Sequence, residues 1–313
     1  MIIAITGATG FIGKYLIKKH IDLNDEVRIL SRTKGKSSDF DGKVKIYIGD
    51  LADVDSLIDF TNGADVLYHC AAEIREESKM YAINVEGTKN LIKAASGKIK
   101  HWVQLSSTGV YGPIYTGVVS ESQPYNPINE YEKTKLESDF LVLEAAKEVG
   151  FTYTLVRPSN VFGFEMKNKS LFQLVKTIDK GLYFFVGLKG ASANYVPVEN
   201  VIEALYLAAT KQNAKNQIYI VSSFCTIEEF VELIVKYLKK PMPRLRIPIA
   251  PIKSIARLTS FIPKNPLTVS RVNALSNRSI YETKKIENEL GYKPVVTTEE
   301  TIMKLVQFYK NKK

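Results

Sequence analysis

The chain has 313 residues, 45% of them hydrophobic and 24% charged, which is ordinary for a globular protein and enough to bury a large core without staples. Its two cysteines, Cys70 and Cys225, stand far apart and outside any Cys-x-x-Cys pattern; this excludes a disulfide framework and a zinc site and fits a reducing, cytoplasmic setting. The net charge of +10 raises nucleic-acid binding, but the lysines are read as spread along the chain and paired with acids on helix faces, so no nucleic-acid partner is expected.

The opening run MIIAITGATGFIGKYLI (1–17) lacks a basic start and holds three glycines, so it reads as a strand turning into a helix and not as a signal peptide. Near-continuous apolar runs at 2–6, 26–31, 44–48, 65–69, 102–106 and 153–157 predict strands covered on both faces. Between them, 11–21, 53–61, 79–96 and 130–149 predict helices, with Asp53 as a cap and Asn84 opening the strongest part of the third. This alternation predicts a doubly wound, parallel α/β sheet of the Rossmann type. After residue 158 the pattern loosens. Helices are expected at 170–180, 199–210, 226–239, 283–290 and 298–310, with few strands, and Pro241, Pro243, Pro248, Pro251, Pro263 and Pro266 break up the middle. The reading is a dinucleotide-binding domain over 1–163, rejoined by about 190–222, and a smaller, mostly helical substrate lobe over 164–313, the two interleaved. No run is long enough to span a bilayer, and no membrane partner is expected.

TGATGFIG (6–13) places Gly7, Gly10 and Gly13 between the first strand and first helix. Gly7 serves the tight turn, Gly10 lets backbone approach a pyrophosphate, and Gly13 lets helix and sheet pack closely. The helix start then offers free N–H groups to phosphate, so Thr9, Phe11 and Ile12 join the expected cofactor contacts. The end of the second strand carries Ser31, Arg32 and Thr33 and no carboxylate. An acidic residue there would bind the ribose hydroxyl of NAD, whereas Arg32 suits a 2′-phosphate, so NADP is favoured over NAD. The alternative is that Arg32 only stacks on adenine.

The spacing Gly-x-x-Gly-x-x-Gly resembles the extended short-chain dehydrogenase/reductase family of epimerases, dehydratases and ketoreductases. Further matches follow in order: Gly49-Asp50-Leu51, His69-Cys70-Ala71-Ala72, Asn84-Val85-x-Gly87-Thr88, Ser106-Ser107-x-x-Val110-Tyr111-Gly112, Tyr131-x-x-x-Lys135 and Arg157-Pro158-x-Asn160. By that resemblance Asp50 bonds the adenine amine, Ala71 and Ala72 line the cofactor path, and Leu51, Asn84, Ser106 and Pro158 contribute cofactor contacts. Ser107, Tyr131 and Lys135 are the expected catalytic set. Tyr131 and Lys135 share a helix face. A free tyrosine is a poor base at neutral pH, and a neighbouring ammonium with an oxidised nicotinamide favours its phenolate. Tyr131 would exchange a proton as a hydride moves, Lys135 would also hold the nicotinamide ribose, and Ser107 would bond the reacting oxygen. His69 is read as structural, His20 and His101 as isolated, and no metal site is expected.

The resemblance places Asn160 and Leu171 on the substrate, with Arg271 or Arg278 as phosphate contacts. Many relatives that use nucleotide-linked sugars carry an arginine just before the second substrate loop; here the stretch is GASANYVPV. Three readings stand open: a nucleotide-sugar C4 epimerase or 4-keto reductase, narrowly preferred; a reductase of a non-sugar ketone, similar to dihydroflavonol reductases or 3β-hydroxysteroid dehydrogenases; and a dinucleotide-sensing regulator without turnover. Helices 84–96 and 130–149 each carry a second apolar stripe, and by the same resemblance two such helices per chain form a four-helix interface, which implies a homodimer.

Overall fold

Apolar runs without polar alternation are satisfied only where both faces of a sheet are covered. The computed structural model describes residues 1–33, 40, 42–166, 170–258, 272–273 and 275–312. In it these runs form β1 (Ile2–Thr6), β2 (Glu26–Ser31), β3 (Lys45–Ile48), β4 (Val66–His69), β5 (His101–Leu105) and β7 (Thr152–Pro158), while β6 (Thr116–Val119) lies apart. A later strand, β11 (Gln217–Val221), returns to the edge, giving the order β11-β7-β5-β4-β1-β2-β3 with every pair parallel. Successive side chains of β1 point to opposite faces. Ile3 and Ile5 pack with Leu16 and Ile17 of α1 (Phe11–Asp22) and Val201 and Leu205 of α7 (Val198–Thr210). Ala4 faces the cluster built by α2 (Asp55–Thr61), α4 (Gly87–Ala95) and α5 (Glu130–Val149), with Phe60, Leu91 and Val142 at its centre. The strand order reverses between β1 and β4, which opens a crevice at their carboxyl ends.

Two helix starts differ from expectation. α2 begins at Asp55, and Asp53 serves it from outside, its Oδ1 accepting the Asp55 N–H at 3.1 Å. Asn84 opens no helix: α3 (Glu77–Met80) runs through a π turn at Tyr81–Glu86 straight into α4, and Asn84 is buried inside that turn. π turns are rare and occur mostly as single-turn bulges within α-helices, frequently at functional sites.

Outside the main sheet, β8 (Asn160–Phe162), β10 (Ser192–Pro197) and β12 (Phe224–Thr226) form a second sheet, β9 (Phe185–Val186) pairs with β13 (Arg246–Ile247), and β14 (Arg278–Tyr281) pairs with β6; β8 and β10 come from stretches expected to belong to the dinucleotide-binding domain, and join this second sheet instead of the main one. These strands are two to six residues long, too short to leave a clear period in the sequence. The core of the smaller lobe joins Leu171 and Val175 of α6 (Ser170–Asp179), Phe230 and Ile234 of α8 (Ile227–Leu238), and Ile302 and Leu305 of a carboxyl-terminal helix. α8 is fixed by a capping box between Thr226 and Glu229. α9 (Ile249–Leu258) forms inside the proline-rich stretch because Pro251 falls in its first turn, where no N–H is required. α10 (Lys284–Leu290) and α11 (Thr298–Asn311) close the chain. Among the described residues no helix is long and apolar enough to cross a membrane.

Candidate active site

β1 ends at Thr6 and α1 begins at Phe11, so the chain reverses within four residues. Gly7 makes this turn with φ +68°, and a Cβ there would stand 2.6 Å from the backbone of Cys70 and Ala71 at the end of β4. The Gly10 N–H donates to the Gly7 carbonyl at 2.9 Å, and a Cβ on Gly13 would meet that carbonyl at 2.3 Å. Gly10 caps α1 in an extended conformation with no side chain on the first N–H groups of Phe11 and Ile12, while Thr9 sits half-buried between the glycines. This bare cradle at a helix start fits a pyrophosphate.

Arg32 follows β2 and is exposed; Ser31 Oγ donates to the Thr33 carbonyl at 2.7 Å, shaping the turn. Asp50 follows β3, with Oδ1 accepting the Ala52 N–H at 2.9 Å, and the buried Leu51 offers its carbonyl to Asn90. After β4, the Ala71 N–H donates to Thr6 Oγ1 at 3.3 Å and Ala72 is half-buried. These groups line the carboxyl ends of β1 to β4.

The reacting groups come from the next strand and its facing helix. Ser107 follows β5, its Oγ accepting the Gly109 N–H at 3.0 Å and starting the short turn Thr108–Tyr111. Asn129 caps α5, which puts Tyr131 in its first turn and Lys135 one turn on. The Ser107 hydroxyl acts on the Tyr131 phenol, and Lys135 Nζ donates to the Leu105 carbonyl at 2.7 Å. Burial holds the Tyr131 phenol above its ordinary value, with the Ser107 hydroxyl opposing it. Burial pulls the Lys135 ammonium down, and Asp139 opposes that. The Lys135 ammonium is directed at the strand, where it acts on Cys70 and His69, and burial is the dominant influence on Tyr131.

Beneath this set lies a buried polar network. Asp139 Oδ2 accepts from Ser106 Oγ at 2.7 Å and from Arg157 Nη2 and Nε at 2.9 and 3.2 Å. Arg157 also donates to the Tyr111 hydroxyl at 2.9 Å and to Tyr125 at 3.3 Å, and Asp139 and Arg157 are both wholly buried. Ser106, expected at the cofactor, thus spends its hydroxyl on Asp139. Asn84, expected there too, accepts the Glu73 N–H at 2.7 Å and donates to the Glu73 carbonyl and Thr134 Oγ1, pinning the loop after β4 to α5. In the sequence Tyr111 stands out only as part of a motif, and neither Asp139 nor Tyr125 is singled out. Asp139 lies eight residues beyond Tyr131 and four beyond Lys135, a helical spacing that places all three on one face.

On the substrate side, Pro158 is buried at the end of β7, and the exposed Asn160 opens β8, donating to the Asn194 carbonyl at 3.3 Å. Leu171 is 3% exposed in the core of the smaller lobe and presents no face to a ligand, which corrects its expected substrate role. Arg278 donates to the Lys189 carbonyl at 2.5 Å, and Arg271 lies outside the described residues. His69 is held between Thr6 and Thr88 at 2.7 and 2.9 Å, with burial pulling its imidazole down to about 3. His20, read as isolated, is paired with Asp25 at 2.8 Å. Among the described residues there is no cluster of three or more side chains able to hold a metal ion.

A family model described as the NAD dependent epimerase/dehydratase family matches residues 3–222. The sterol demethylase protein B of Methylococcus capsulatus is 27% identical over 312 residues, covering 94% of this chain and 94% of its own. The 3beta-hydroxysteroid-dehydrogenase/decarboxylase isoform 1 of Arabidopsis thaliana is also 27% identical, covering 99% of this chain and 80% of its own. The structure of UDP-glucose 4-epimerase from Thermotoga maritima with UDP-glucose superposes with a TM-score of 0.78 at 20% identity, over 100% of this chain and 99% of that one, so the fold is shared.

Proposed function

The chain belongs to the NAD dependent epimerase/dehydratase family, and we propose that it moves a hydride at a secondary alcohol or ketone carbon of a nucleotide-linked sugar, as a C4 epimerase or 4-keto reductase. The observation carrying this reading is the convergence of Ser107, Tyr131 and Lys135 beside the glycine cradle. Gly7, Gly10, Gly13, Asp50, Ala71 and Ala72 would hold a nicotinamide dinucleotide, which when bound supplies the hydride donor or acceptor. Ser107 orients the reacting oxygen, Tyr131 exchanges its proton with that oxygen, and Lys135 binds on the ribose side and carries positive charge beneath the site. The same convergence argues against a regulator without turnover.

NADP is the proposed cofactor form, because exposed Arg32 directly follows β2 and no carboxylate stands there. A second reading, reduction or oxidation of a non-sugar alcohol such as a sterol, is favoured by one observation. β10 reads Ser192–Pro197 with buried Ala193 and no cation to meet a diphosphate. The two curated relatives named above act in that direction by name.

Denaturing the purified protein and identifying the released dinucleotide tests the choice. Stoichiometric retained cofactor with interconversion of UDP-glucose and UDP-galactose supports the epimerase. An empty protein that oxidises a 3β-hydroxysterol and leaves UDP-sugars untouched overturns it in favour of the second reading. We further propose a homodimer through the helical run 77–95 and α5, where Tyr81 and Phe140 remain 45% and 42% exposed; a monomeric mass by light scattering overturns it.

A further inference from the structure

The excess positive charge is not spread along the chain, as the sequence reading had it. Residues 233–281 hold ten Lys and Arg and no Asp or Glu, while the remaining residues hold 33 of each sign. The whole net charge of +10 therefore belongs to one stretch, from the end of α8 to the end of β14. Part of it is answered within the fold: Lys236 meets Glu299, Arg246 meets Glu228, and Lys240 meets Asp179 at 3.6 Å. Lys239, Arg244, Lys253 and Arg257 have no acidic partner among the described residues.

The same stretch exposes aliphatic side chains. An open groove between the end of α6 and residues 240–245 is lined by Leu182 and Leu245, 67% and 61% exposed. Two residues of β13 carry the chain on towards α9, which buries Ile252 and Ala256, leaves Ile255 and Leu258 exposed at 50% and 72% on one flank of that buried stripe, and carries Lys253 and Arg257 on the other. A basic surface studded with exposed aliphatic residues matches anionic lipid better than nucleic acid, whose bases would need aromatic platforms. It also disfavours a second copy of the chain, which would bring like charge against like.

We propose that this rim of the smaller lobe is a peripheral docking surface for membranes containing anionic phospholipid. Leu245, Ile255 and Leu258 enter the boundary between headgroups and acyl chains, and Arg244, Lys253 and Arg257 pair with headgroup phosphates. The expectation of no membrane partner rested on the lack of a spanning run, and contact with a bilayer surface requires none. This inference is independent of the reaction proposed above.

Flotation of the full chain with vesicles tests it. The chain is expected to rise with phosphatidylcholine vesicles containing phosphatidylglycerol, to stay behind with phosphatidylcholine alone, and to be released by high salt. The triple variant Arg244→Glu, Lys253→Glu, Arg257→Glu should bind about a hundredfold more weakly. Leu245→Ser with Leu258→Ser should weaken binding at low salt with the charge intact. All five positions are surface-exposed or half-buried and outside the proposed active site, so unchanged thermal melting checks that each variant folds. Absence of flotation overturns the proposal, as does undiminished binding by either variant. Retention of a labelled single-stranded oligonucleotide by a chain that ignores the vesicles also overturns it and identifies a nucleic-acid surface instead.

Discussion

Behind the β5 end, Asp139 and Arg157 are wholly buried and bonded to one another, to Ser106 and to two tyrosines; on the smaller lobe's rim, Arg244, Lys253 and Arg257 are exposed or half-buried and pair with no carboxylate among the described residues. The two regions handle charge in opposite ways. Buried charge costs so much desolvation that it survives only with its partners fixed, so it holds neighbouring groups at fixed positions. Exposed charge of one sign keeps its energy unspent and can act on something outside the molecule. The buried set suits a site that must hold reacting atoms still. The rim suits recognition of a broad anionic surface.

The largest effect is expected at the centre of the buried region. Tyr131→Phe removes only a hydroxyl, and turnover should fall by about a thousandfold, in the range of lost acid–base groups. Steady-state rates with the identified substrate check this, and near-normal turnover would sink the proton-transfer role. Asp139→Asn leaves the Arg157 guanidinium buried without its counter-charge and should cost about 3–5 kcal/mol in urea denaturation. A change below about 1 kcal/mol would show that the network does not depend on the ion pair.

Acid should weaken the interior next. Burial holds His101 down to about 4 and His69 to about 3, against 6.5 in a free chain. Both imidazoles are kept neutral by the fold, so this stability is complete above pH 6.5. It is lost as pH falls through the window towards 4 and then 3, because the unfolded chain binds protons first. Denaturation at pH 7 and pH 5 should differ by about 4 kcal/mol for the pair, and equal stability would contradict the neutral assignment. The smallest effect belongs to exposed charge. Arg32→Ala should weaken NADPH about tenfold and leave NADH nearly unchanged, measured by fluorescence titration. Equal loss for both would mean that Arg32 stacks on adenine.

Much of the sheet was readable because its strands are apolar throughout and its helices long enough to show a period. The glycine cradle was readable for a similar reason: Gly7 and Gly13 answer local backbone demands that leave a residue type behind. The roles of Ser106, Asn84 and Leu171 were not readable. Each depends on which way a side chain turns after chain segments far apart in sequence have packed, and Ser106 turns to an aspartate 33 residues away. The strands of the smaller lobe escaped for want of length. The charge imbalance was present in the sequence throughout, hidden because a total says nothing about position.

β11 has a consequence for the order in which the molecule can be made. It supplies the outer neighbour of β7, pairing Gln217–Val221 with Thr154–Pro158. During synthesis from the amino end, β7 is complete while its partner has yet to emerge, and one row of its backbone groups stays open for the whole of the intervening segment. An open strand edge is a template for other chains. A chain cut after residue 163 would keep the glycine cradle, Tyr131 and Lys135 and still present that bare edge permanently, so its fate would be association with its own kind instead of independent folding.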